Sequence, residues 1–238
     1  SRQSSFYIKK EGAGQIVIIG LPQVGKTALF KLLTDTSKNF NEKGNNWSNK
    51  PIPGITYYED VPIQLIDVPS IFEGIYERSV GGQIMTLIRN ADALALVVDL
   101  TQDIEYQMRV LLSELDKAGI KVNKEPPPIQ IQRTPTGGIT VIGEKYLVDI
   151  TIKDIINILN DLRIFNALVK IFGKITYEDF LEAIHKNVIY KKGIIIANKG
   201  DAPNTLKSYK TLLEKFGTKF KIIPASVKLK KGIEDIKK

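Results

Sequence analysis

The chain has 238 residues, 34 Lys+Arg against 26 Asp+Glu, a formal charge of +8 and no cysteine. Disulfide scaffolds, cysteine-ligated zinc and thiol catalysis are therefore excluded, and the single histidine, His185, argues against a Ser-His-Asp triad or a multi-histidine metal site. A hydrophobic fraction of 43% with 25% charged residues is that of a soluble globular protein. The longest apolar run, residues 93–98, is far short of a membrane helix, so no membrane partner and a cytoplasmic location are expected. The basic balance fits a nucleic-acid or ribosome partner, and equally a lysine-rich solvated surface.

Taken in order, residues 15–19 read as a buried strand ended by Gly20, and 27–33 as a helix. A strand at 63–66 has an antiparallel neighbour at 55–59, with Asp60-Val61-Pro62 as the turn. A helix over 79–90, a buried strand over 93–99 and a helix over 104–118 closed by Gly119 follow. Strands at 129–133 and 138–142 read as a hairpin through residues 134–137. Thr151 can cap a helix over 152–162, with Ile152, Ile155, Ile156 and Leu159 on one face. A strand at 167–171 precedes a helix opened by Thr176, where Asp179 completes a weaker capping box. A buried strand at 193–197, a helix at 204–216, a strand at 220–223 and a helix from Gly232 end the chain. Continuous apolar strands separated by helices imply an α/β fold, a mostly parallel sheet covered on both faces. That sheet is expected from residues 1–120 and 191–238, interrupted by a compact α+β insert over 121–190.

Gly20-Leu21-Pro22-Gln23-Val24-Gly25-Lys26-Thr27 matches G-x-x-x-x-G-K-[ST] between a strand and a helix. Glycines let backbone amides turn around phosphate oxygens, and the helix N-terminus adds partial positive charge. Gln23, Val24, Gly25, Lys26, Thr27 and Ala28 are the expected phosphate-binding residues, with Lys26 on the β/γ-phosphates and the Thr27 hydroxyl on Mg²⁺. Asp67, at the end of the second strand, is placed to hold Mg²⁺ through water. Asn198-Lys199-Gly200-Asp201 ends a later buried strand. A carboxylate at Asp201 can accept both the ring N–H and the exocyclic amine of guanine, a donor pair adenine lacks, so adenine would leave it unpaired. Asn198 would brace the loop and the Lys199 stem would cover a base face. Ser226-Val227-Lys228 would offer its backbone to the guanine oxygen.

These residues resemble the Obg/Drg family of translation-associated GTPases, and more closely its Drg (developmentally regulated GTP-binding) branch. The resemblance is carried by GLPQVGKT (20–27), IPG (52–54), IQLIDVPSIFEG (63–74), the NKEPPPIQIQ…TGGI stretch (123–139), LRIFNA (162–167), TYEDFLEAIHKNVIY (176–190) and NKGD (198–201). It implies a P-loop NTPase of the Ras-like G-domain type with a small α+β insert. It further implies GTP/GDP as ligand, Mg²⁺, slow hydrolysis, and association with ribosomes or RNA and a small regulatory partner protein. The family's N-terminal helical hairpin and C-terminal RNA-binding domain are expected to have no counterpart in these 238 residues.

Three positions depart from the family pattern. Ser70 stands in Asp67-Val68-Pro69-Ser70 where the family has a glycine whose amide meets the γ-phosphate; a Cβ there restricts the backbone and is expected to slow or alter the switch. With Lys26 and Thr27, Ser70 makes up the expected catalytic set. Gln23 replaces a phosphate-loop asparagine implicated in holding a monovalent cation, so potassium activation rests on a side chain one methylene longer. The switch hydroxyl should lie about twenty residues before Asp67, where Ser48 is the candidate third Mg²⁺ ligand and a polar loop over 39–49 is the alternative. Three readings stay open: a slow Mg²⁺-dependent GTPase, a GTP/GDP-binding regulatory module with little intrinsic hydrolysis, or an RNA-binding adaptor in which nucleotide is structural, which the basic balance allows.

Overall fold

The computed structural model describes residues 6–34 and 50–238, so Ser48, Trp47 and the polar loop over 39–49 lie outside the described residues. The chain divides into two compact units, Ser1–Asn123 with Lys191–Lys238, and Lys124–Tyr190. In the first, β1 (Gln15–Gly20) leads through the phosphate loop into α1 (Lys26–Leu33). Then come β2 (Ile52–Tyr58), β3 (Val61–Asp67), a 3₁₀ turn (Ile75–Glu77), α2 (Ser79–Asn90), β4 (Ala93–Asp99), α3 (Ile104–Lys117) and β5 (Ile120–Val122). The second unit holds β6 (Ile129–Arg133), β7 (Ile139–Ile142), α4 (Ile152–Asp161), β8 (Ala167–Ile171) and α5 (Tyr177–Ile184). The chain returns through β9 (Ile189–Asn198), α6 (Thr205–Phe216), β10 (Lys221–Pro224) and α7 (Ile233–Lys237).

Among the described residues the large sheet has seven strands, ordered β10-β9-β4-β1-β3-β2, with β5 also pairing β9. β1 is parallel to β3 and β4, β4 to β9 and β9 to β10; β2 is antiparallel to β3. The alternation of side chains along a strand divides β4 between two layers. Ala95 and Val97 join Leu29, Phe30 and Leu33 of α1 in one core cluster. Leu94, Leu96 and Val98 are just as buried on the opposite face. This is the doubly covered parallel sheet that the apolar strand runs imply, and it brings the C-terminal ends of β1, β3, β4 and β9 to one edge.

Two local readings change. The β2–β3 turn is Glu59-Asp60, both with positive φ (46° and 64°), rather than Asp60-Val61-Pro62. A two-residue turn of that kind matches the twist of the flanking strands, so Val61 and Pro62 enter β3, where Pro62 pairs with Tyr57. The hairpin expected from 129–142 does not form. β8 lies between its two strands, antiparallel to β6 and parallel to β7. Ala167, Val169 and Ile171 on β8 are at most 4% exposed, while Ile129, Ile131, Ile139 and Val141 of β6 and β7 are half-buried and Ile142 is exposed, so the most buried strand takes the centre. The capping residues do what their chemistry predicts: Thr151 with Asp154, and Thr176 with Asp179, form reciprocal capping boxes on α4 and α5. The expected insert boundary at 121 falls within β5, and the second unit begins at Lys124.

One glycine controls how the segment after β3 packs. A Cβ on Gly81, in α2, would overlap the Ile75 carbonyl of the 3₁₀ turn. Helix propensity alone would make Gly81→Ala stabilising by ~1 kcal/mol, but the forced displacement should dominate at ~1–3 kcal/mol. Urea unfolding of Gly81→Ala is therefore expected to show net destabilisation, and a more stable variant would contradict the packing.

Candidate nucleotide site

The loop after β1 has the shape that its glycines permit. Gln23 and Gly25 both have positive φ, 65° and 87°. Gly25 occupies the N-cap of α1, no side chain caps that helix end, and its first turn carries no acidic residue. The first-turn amides of an α-helix have no partner within the helix, and an end without a side-chain cap or nearby acid suits an anion. Ala28 lies exposed in that first turn.

Lys26, Thr27 and Asp67 converge where β3 ends. Lys26 is 6% exposed and Asp67 is 3% exposed. The Lys26 ammonium donates to Asp67 Oδ1 and to the Val68 carbonyl, and the Thr27 hydroxyl donates to Asp67 Oδ2 at 2.7 Å. A hydroxyl and a carboxylate oxygen at this separation fit Mg²⁺, which takes hard oxygen donors, commonly one or two from protein with phosphate and water completing the shell. Ile71 N–H donates to the Gly20 carbonyl at 2.9 Å and its side chain is fully buried, so the segment after Asp67 is pinned to the end of β1. Ser70 is half-buried and lies outside the positive-φ residues, so its Cβ introduces no left-handed strain in this conformation.

The later loop reaches the same place. Asn198, 1% exposed at the end of β9, donates from Nδ2 to the Val24 carbonyl at 3.0 Å, while Val227 N–H reaches its Oδ1 at 3.4 Å. Lys199, itself at φ 63°, donates to the Gln23 carbonyl at 3.1 Å and pairs with the buried Asp99. Asp99 is held in turn by Thr101, whose amide and hydroxyl both donate to its Oδ1, at 2.8 and 2.6 Å. The Ser226 hydroxyl donates to Asp201 Oδ1 at 2.6 Å and accepts from Leu229 N–H at 3.0 Å. That hydroxyl holds the Asp201 carboxyl below its ordinary range, so it is ionised at neutral pH. A recess of about 290 Å³ beside it is lined by Gly200, Asp201, Ser226, Leu229 and Lys231.

The phosphate loop, Asp67, Asn198 and Lys199 are thus joined by hydrogen bonds, with Asp201 and the 226–228 loop beside them. Two contributions were missing from the sequence reading. Asp99 partners Lys199 across 100 residues. The Ser226 side chain, rather than only its backbone, has a role. Asp99 could have been suspected as an acid ending an otherwise apolar strand; the Ser226 contact is a pairing between distant segments. The bracing expected of Asn198 takes the form of a bond to the Val24 carbonyl.

A strand–loop–helix phosphate site of this form, with an Asn-Lys-x-Asp loop beside it on a mostly parallel sheet, defines the P-loop G-domain class. Comparisons with known proteins agree. Residues 15–132 match the family model described as a 50S ribosome-binding GTPase, and 136–238 match the model of the C-terminal region of that MMR_HSR1 domain. The chain belongs to this GTPase family, in the branch of the developmentally regulated GTP-binding proteins. Developmentally-regulated G-protein 1 of Arabidopsis thaliana is 34% identical over 82% of this chain and 49% of its own length. An uncharacterized GTP-binding protein of Methanocaldococcus jannaschii is 32% identical over 92% of this chain and 56% of its own length. The chain thus spans about half the length of the curated relatives it matches. The cytosolic domain of the T. maritima FeoB iron transporter, in apo form, superposes with a TM-score of 0.50 at 17% identity, covering 94% of this chain and 61% of that one, a likeness of fold alone.

Gly25 is the position where the two halves of the site meet most tightly, since a Cβ there would overlap Asn198 Nδ2. Gly25→Ala combines that overlap with left-handed strain of ~1–2 kcal/mol. Its dissociation constant for GDP, measured by calorimetry, is expected to rise about tenfold or more, with circular dichroism unchanged. Wild-type affinity would contradict the contact.

Proposed function

We propose that this chain binds GTP and GDP and hydrolyses GTP to GDP slowly with Mg²⁺. The observation that carries the proposal is the Asn198 side chain holding Val24 of the phosphate loop, with the ionised Asp201 three residues further on. Guanine would present its ring N–H and exocyclic amine to Asp201, the Lys199 stem would lie along a base face, and the Val227 and Lys228 backbone would meet the guanine oxygen. Lys26 and the loop amides of residues 23–28 would bind phosphate oxygens. Thr27 and Asp67, with Ser48 as a proposed further ligand, would hold Mg²⁺, which would supply charge neutralisation at the phosphates. The Ser70 amide would face the γ-phosphate.

Slow turnover follows from what stands after Ser70. Ile71 is fully buried, and a hydrocarbon cannot orient water as a glutamine does. The same feature favours the second reading, a nucleotide-dependent regulatory module with little hydrolysis of its own. A polyanionic partner such as ribosome or RNA is supported by charge segregation: residues 205–238 carry ten lysines against three acidic residues. A small regulatory protein partner and a cytoplasmic location complete the proposal. Among the described residues no helix is long and apolar enough to cross a membrane.

Single-turnover hydrolysis with and without Mg²⁺ tests the reading. Wild-type protein is expected to convert GTP slowly and only with the metal, and Lys26→Ala to abolish conversion. GDP and GTP binding without measurable conversion would select the regulatory module; absence of binding would contradict both. Potassium is expected to give the same rate as sodium, because Gln23 replaces the cation-holding asparagine of the resembled family. A large potassium stimulation would show that Gln23 substitutes for it.

A further inference from the structure

The mechanism above makes no use of Glu114, although this carboxylate on α3 is 1% exposed and its partners lie in the segment that follows Asp67. Its Oε2 accepts from Tyr76 N–H and its Oε1 from Gly74 N–H, both at 2.9 Å, and Lys117 Nζ donates to Oε1 at 2.8 Å. Those two amides open the 3₁₀ turn at Ile75–Glu77, where the adjoining Gly74 (φ 82°) offers no side-chain cap. The first N–H groups of any helical turn need an acceptor from outside it, and Glu114 supplies one from 38 and 40 residues away. Burial alone would raise the Glu114 carboxyl, but Lys117 and the two amides outweigh it and the group is held below its ordinary range.

The outer contacts are weaker. Arg109–Glu73 at 3.8 Å and Lys117–Glu77 at 3.9 Å join largely exposed glutamates, and such pairs contribute little. Toward the phosphate loop the same segment is fixed by Ile71 N–H on the Gly20 carbonyl. Ser70 adjoins that anchor, and Glu114 holds the far end. Gly74 itself has φ 82°, and a Cβ there would meet nothing within 4 Å, so the glycine serves the left-handed backbone rather than close packing. An interior carboxylate is costly to desolvate, and each of its two oxygens accepts from a backbone amide, with the Lys117 ammonium also on Oε1.

We propose that Glu114 is a positioning residue for GTP hydrolysis: by capping Gly74 and Tyr76 from α3 it fixes the segment that carries Ser70, and with it the Ser70 amide toward the γ-phosphate. The proposal rests on the GTPase reading above.

The test compares wild type with Glu114→Gln, which keeps the volume and one acceptor oxygen, and Glu114→Ala, which removes both. Amide hydrogen exchange is read without nucleotide, and GDP affinity and single-turnover hydrolysis are read separately. Faster exchange at Gly74 and Tyr76 is expected in both variants. Hydrolysis should fall about tenfold in Glu114→Gln through misplacement of a group at the reacting phosphate, while GDP affinity stays within about twofold because neither amide touches the nucleotide. A general loss of folding would instead weaken GDP binding and accelerate exchange everywhere; if Glu114→Ala does so, Glu114→Gln carries the test. Unchanged exchange at residues 74 and 76 overturns the proposal whether or not the chain binds nucleotide. Altered exchange with an unchanged hydrolysis rate overturns its link to turnover. A wild-type chain that fails to bind GDP would count against the GTPase reading, and would be recognised as such before any variant is compared.

Discussion

The side-chain amide of Asn198 holds the site together. It sits at the end of β9 and reaches the Val24 carbonyl 174 residues earlier in the chain. One planar group thereby couples the loop after β1 with the loop after β9. The parallel sheet makes this possible. β1, β4 and β9 are neighbours, and in parallel strands their C-terminal ends emerge on the same side, so the loops that follow them converge. The coupling is tight enough that Gly25 has no room for a Cβ against that amide. Lys199 and Asp99 reinforce it with a second link between the ends of β9 and β4.

Much of this was legible in the sequence where the chemistry is local. The phosphate loop declares itself because its glycines, lysine and threonine act within eight consecutive residues between a strand and a helix. The capping boxes at Thr151 and Thr176 are readable for the same reason, each being closed within one helical turn. The errors lie where the outcome depends on distant partners. Residues 129–142 carry every local sign of a hairpin, yet which strand becomes central is decided by β8, about 25 residues later in the sequence and far more buried. Asp99, Ser226 Oγ and Glu114 escaped notice because their roles exist only once segments 100, 25 or 40 residues apart in sequence are side by side.

The same distinction separates the two ends of the site energetically. The Lys26–Asp67–Thr27 cluster is nearly dry, where charges interact strongly and cannot be left unpaired. Asp201 lies closer to solvent, and the Ser226 hydroxyl orients its carboxylate. Affinity would then reside chiefly in the phosphate end and selectivity in the base end. Between them runs the segment after β3, anchored at Gly20 and at α3.

The central claim is that a single ligand spans both ends and is chosen by Asp201. Calorimetric titration of the wild type and of Asp201→Asn with GDP, ADP and xanthosine diphosphate tests it directly. Xanthine carries an oxygen where guanine carries the amine, so an amide in place of the carboxylate can donate to it. The account predicts strong preference for GDP over ADP in the wild type, and a shift toward the xanthine nucleotide in the variant. Equal affinity for GDP and ADP, or a variant that still prefers GDP, would contradict it.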